Sequence, residues 1–128
     1  MSTIVTSNVS DGTLSIPTTY VTNGSAKAWV NFDGTGTVAI RDSLNVASLT
    51  DDGAALYTVN YSSALANSDY CLLGSNKYTG SGTGLSFVLR NVTTPLTASS
   101  SQVFCAPDFS VSATDNPIVM LDVKGDLA

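Results

Sequence analysis

The chain has 128 residues, 43% of them hydrophobic and only 12% charged, with a net charge of −5 and no histidine. That length suits one domain able to bury most of its apolar surface. The acidic balance is a poor background for holding nucleic acid, and the missing histidine removes the usual neutral-pH acid–base group and the commonest zinc ligand. No apolar run is long enough to suggest a membrane helix. The opening residues lack a basic stretch followed by an apolar one, so no secretory signal is expected. Abundant Ser, Thr, Asn and Gly favour strands and turns over long helices.

Residues 1–24 alternate imperfectly through Ile4, Val5, Val9, Leu14 and Ile16, and Pro17 cannot donate a ladder hydrogen bond. They read as an extended lead-in, with a short edge strand near Thr13–Ile16, to a β-domain of residues 25–128. In Ala28–Trp29–Val30–Asn31–Phe32, strict alternation predicts a strand with Ala28, Val30 and Phe32 facing a core. Trp29 then lies on the opposite side. Four readings stay open for it: a core residue in a distorted strand, packing beneath a loop, a subunit contact, or a ligand platform.

Asp33–Gly34–Thr35–Gly36 breaks the pattern, and alternation returns at Val38–Ala39–Ile40–Arg41. Further strands are expected at Leu44–Leu49 and Leu56–Tyr61, with a tight reversal at Asp51–Asp52–Gly53 between them. Tyr70–Cys71–Leu72–Leu73 is apolar on both faces, as in a central strand or one shared with a partner. Four glycines in residues 74–84 predict a long exposed loop, and Leu85–Arg90 should pair beside the Tyr70 strand. Thr93–Gln102 is polar and reads as a surface meander, followed by a short strand at Val103–Cys105 and an edge strand at Phe109–Ser112. Asp115–Asn116–Pro117 is turn chemistry before a last strand, Ile118–Val123, again apolar on both faces.

Seven or eight short strands without a convincing helix predict an all-β fold, an antiparallel β-sandwich with jelly-roll-like or Greek-key connections. Two-sided apolar strands exceed what one thin core needs. A homo-oligomer is therefore expected, with Trp29, Leu73, Val119 and Leu121 at the subunit interface.

Chemistry-bearing constellations are sparse. Asp51–Asp52 reads as a solvated turn; calcium binding would need Asp33, Asp42 or a carbonyl to converge, and a shared-proton dyad is disfavoured because adjacent strand residues point apart. The GTGTV and GSGTG runs lead into strands and read as turns, not phosphate loops. Cys71 and Cys105 are read as buried apolar side chains, a disulfide, or a reactive thiol site. No catalytic set, metal set or cofactor is expected, so the protein is read as a non-enzyme. Tyr78, with Asn76 and Lys77, is a candidate receptor contact, since an exposed ring beside short polar groups suits a sugar face. Loop anchoring, interface packing, or a tyrosine that is merely exposed are the alternatives for Tyr78.

The segments KAWVNFDGTGTVAIR, NVASLTDDG and YTVNYSSALANSDY, weakly extended by LSFVLRNVT, resemble a β-structured module of tailed-bacteriophage tail fibres and related virion appendages. They cover less than half of the chain. The resemblance implies a trimeric structural subunit of a phage particle, made in the host cytoplasm and located in the virion, in a tail fibre or its receptor-binding tip. Other virion proteins and a bacterial surface polysaccharide or outer-membrane protein are the implied partners. A head fibre, capsid decoration or baseplate adaptor is the alternative, with a polysaccharide-degrading appendage a third.

Overall fold

A computed structural model describes residues 2–77, 87–90, 94–106 and 113–128, with the backbone alone for 87–90 and 106. The chain is mostly antiparallel β-structure. Two short strands, β1 (Asn8–Ser10) and β2 (Ser15–Pro17), form a hairpin, and α1 (Thr18–Gly24) follows directly. Then come β3 (Ala28–Asp33), β4 (Ala39–Leu44), β5 (Val46–Gly53), β6 (Leu56–Tyr61), β7 (Cys71–Lys77), β8 (Phe87–Arg90), β9 (Ser100–Ala106) and β10 (Ile118–Lys124). These eight make one sheet in the order β4-β3-β10-β7-β8-β9-β6-β5, every pairing antiparallel.

The sheet is curled. β3 is second in that order and β6 seventh, a separation of five strand spacings, or about 24 Å if the sheet were flat. Yet the rings of Phe32 on β3 and Tyr57 on β6 meet edge to face with centroids 5.1 Å apart. Alternation explains how: Ala28, Val30 and Phe32 share a buried side with Tyr57, Val59 and Tyr61, with Val103 and Cys105 of β9, and with Val119, Leu121 and Val123 of β10. The inward set expected for β3 is the observed one.

The curl closes at one residue. β4 and β5 are the two edges of the sheet, yet only Asn45 separates them, at φ 56°. Its side-chain amide donates to Lys27 O at 3.0 Å and Ser63 O at 3.1 Å, and its Oδ1 accepts from Ser63 N at 2.7 Å. Asn45 thus fastens the start of β3 to the chain leaving β6. The continuous strand expected over Leu44–Leu49 is corrected here: a left-handed corner, which asparagine tolerates better than most residues, breaks it at Asn45.

A polar lock holds one end of the core. Tyr57 OH lies 2.9 Å from Asp115 Oδ1 and 3.0 Å from Gly34 O, the Ala55 N–H donates to the same Asp115 oxygen, and Gly34 N–H donates to Asn116 O. Burial first, then the hydrogen bond to Asp115, pushes the Tyr57 phenol above its ordinary value and keeps it a donor.

Three further expectations change. The lead-in is a hairpin and a seven-residue helix rather than extended chain, although neither carries a buried residue. β9 begins at Ser100, within the expected meander, because Ser100 and Ser101 pair with Asn60 and Val59 and buried Ser101 receives the Tyr61 hydroxyl. Cys71 is exposed and Cys105 buried, both as free thiols, so the shared core role fits only Cys105. The Phe109–Ser112 edge strand lies outside the described residues, while Leu85–Arg90 is described from Phe87 and does pair with β7.

Candidate interaction surface

The outward side of the β4-β3-β10-β7 half brings together residues scattered along the sequence. Antiparallel register sets Leu44 opposite Trp29, Trp29 opposite Asp122, and Asp122 opposite Leu73, so the four form one row across four strands. The next row is Asp42, Asn31, Met120 and Ser75. Leu44, Leu73 and Met120 are exposed, Leu73 to 54%, and Trp29 is half-buried. Leu73 and Met120 flank an open groove of about 320 Å³.

At the centre sits a carboxylate with two unlike oxygens. Asp122 Oδ2 pairs with the Lys124 ammonium, whereas Oδ1 is shielded from water and has no hydrogen-bond partner among the described residues. An acceptor left in that state costs about 1–3 kcal/mol.

Polar groups rim this face. Arg41 is the unpaired residue of a bulge in β4; its guanidinium binds Asp33 at 2.7 Å and reaches Asn31 Oδ1 at 3.5 Å. The Thr35 hydroxyl and N–H, then Arg41, hold the Asp33 carboxyl below the ordinary carboxylate value.

The expected interface residues therefore divide. Trp29 and Leu73 do share the outward face. Val119 and Leu121 do not: they are 0% and 4% exposed within the chain's own core, and β10 presents Met120 and Asp122 outward instead. Among the expected receptor contacts, Lys77 is exposed at the end of β7. Asn76 is half-buried and paired with the inward Val119. Tyr78 lies outside the described residues. Sequence reasoning missed Met120, Leu44 and Asp122; Ile118–Leu121 is apolar on both faces, and only the pairing of β10 with β3 sets which side of it is outward.

Elsewhere, Asp51 and Asp52 are committed locally. Asp52 Oδ2 accepts from the Thr58 hydroxyl at 2.5 Å and the Gln102 amide at 2.8 Å, while Asp51 Oδ1 accepts from Gly53 N. Among the described residues, no three His, Cys, Asp or Glu side chains converge as metal ligands. A larger open cleft, about 700 Å³, lies beside Lys27, Asn45 and Asp126. It is the seam between α1 and the sheet: Lys27 Nζ already donates to Thr22 O and Ser25 O, and the Asn45 amide is used by the corner.

Compared with known proteins, the chain matches no family model, no curated protein and no solved structure.

Proposed function

We propose that this protein is a non-enzymatic structural subunit of a bacteriophage virion appendage, a tail fibre or its host-facing tip, assembled as a homotrimer of jelly-roll-like or Greek-key β-sandwiches. The observation that carries the reading is the outward apolar face around Trp29, Leu73 and Met120. The core is already complete without it, so it is surface suited to a neighbour. The segments that resemble phage appendage modules supply β3, the Gly34 turn, the start of β4, the Asn45 corner, β5 and β6, and so contribute to both edges of the sheet. The curl of the sheet supports the sandwich description, and the trimer comes from the resemblance. Local commitment of the carboxylates supports a binding rather than a catalytic role.

In this reading the residues expected from sequence to meet a bacterial surface polysaccharide or outer-membrane protein are Asn76, Lys77 and Tyr78. The second reading is a head fibre, capsid decoration or baseplate adaptor. It is favoured by the exposed apolar side chains of the first 21 residues, which suit attachment to another virion protein. An electron-microscopy map of the particle tests both. Threefold density for this chain at the distal end of a tail appendage is the expected result. Density buried between other virion proteins supports the adaptor, and absence of the chain from purified particles overturns both.

A further inference from the structure

We propose that residues 2–25 are an exchange arm that docks on the outward face of β3, β10 and β7 of a second copy of this chain. The inference goes beyond the virion reading, since it needs only this polypeptide and stands if the protein works elsewhere.

The arm is well specified locally but buries nothing. Val9 pairs with Ile16, Asp11 Oδ1 accepts from the N–H groups of Thr13 and Leu14, and Gly12 takes φ 96° in the turn. Those N–H groups hold the Asp11 carboxyl below its ordinary value. However, Ile4 is 90% exposed, Val5 92% and Leu14 72%, and Val9, Ile16, Tyr20 and Val21 are exposed as well. A lone two-stranded hairpin and a two-turn helix are at best marginal in water. Their stability has to come from a surface that covers these side chains.

The same chain carries such a surface. Seven apolar side chains this exposed amount to roughly 600–800 Å², close to one partner's share of a standard interface. The chemistry also matches. Residues 2–25 contain one charged side chain, Asp11, among many Ser, Thr and Asn groups. The face presents Trp29, Leu73 and Met120 around Asp122, whose charge Lys124 already meets. An apolar, nearly uncharged arm suits a face whose central carboxylate is already matched by its own ammonium.

Geometry favours a neighbour over the arm's own body. Lys27 Nζ binds Thr22 O, Ser25 O and Ser25 Oγ, pinning the last turn of α1 at the root of β3. The hairpin therefore stands at the far end of a helix about 10 Å long. Each copy offers one arm and one face, so two copies can exchange arms reciprocally or several can close head-to-tail into a ring.

Complementation in sedimentation tests this on the full chain. Leu14→Thr/Ile16→Thr spoils the arm, and Leu73→Thr/Met120→Thr spoils the face; all four residues are exposed, so thermal stability of each monomer should be retained. Wild type is expected to associate with concentration, and each double variant to lose at least about 100-fold in association. Mixing the two variants should restore a complex, because one intact arm then meets one intact face. Three results would overturn the proposal: a monomeric wild type at the highest soluble concentration, an arm or face variant that associates like wild type, or a mixture that stays monomeric. An arm variant that associates like wild type would point to a face-to-face contact instead.

Discussion

Cys105 and Cys71 show how two strands of one sheet give one residue type two fates. Burial pushes the Cys105 thiol up to about 12, so almost none of it is thiolate at neutral pH. Cys71 lies exposed on the outward side of β7. A thiol reagent should therefore titrate one cysteine per native chain and the second only after denaturant; two equally fast thiols would contradict the burial of β9. Asn45 offers a second test. Replacing it with Ala removes three side-chain hydrogen bonds and keeps a Cβ in a left-handed corner, for an expected loss of about 2–4 kcal/mol in chemical denaturation. Asn45→Gly should lose about 1 kcal/mol less, because only the hydrogen bonds go. Equal losses in the two variants would mean the corner stores no backbone strain.

Among the elements, the turn between β3 and β4 is the least tolerant of added bulk. A Cβ on Gly34 would sit 2.3 Å from Tyr57 OH and 3.0 Å from Asn116 O. Gly34→Ala should destabilise by about 1–3 kcal/mol, and adding Tyr57→Phe should return part of that loss by vacating the hydroxyl's space. Strict additivity of the two changes would argue against the contact. This crowding was not legible in the sequence, where Asp33–Gly34 reads simply as a reversal; the partner is twenty-three residues away on β6. The alternation of β3 and β6 was legible, because one side of each meets the core and the other does not. The Asn45 corner and the inward facing of Val119 and Leu121 were not. Both depend on which strands become neighbours, and a two-sided apolar run carries no phase to set its register. The helix at Thr18–Gly24 was hidden for a different reason: its threonines, tyrosine and valine are weak helix formers, and Lys27 ties its final carbonyls from outside.

At the scale of the whole molecule, the sole tryptophan is a built-in reporter of assembly. Trp29 belongs to the outward face, so its emission should be blue-shifted in concentrated solution and move to the red on dilution. The Leu14→Thr/Ile16→Thr variant should stay red at every concentration. An emission maximum independent of both concentration and arm would place Trp29 outside any subunit contact. Trp29→Ala, correspondingly, should weaken association more than it lowers the melting temperature of the monomer.

The outermost strands carry a consequence for how such molecules can join. Every register shift among the described pairings falls on β4 or β5, and those strands bear Arg41, Asp42, Asp51 and Asp52. Irregular, charged rims make poor templates for an incoming backbone, so growth by strand addition into fibrils is discouraged. Copies kept from pairing at their rims would have to meet through side chains, which favours a closed assembly over an open-ended polymer.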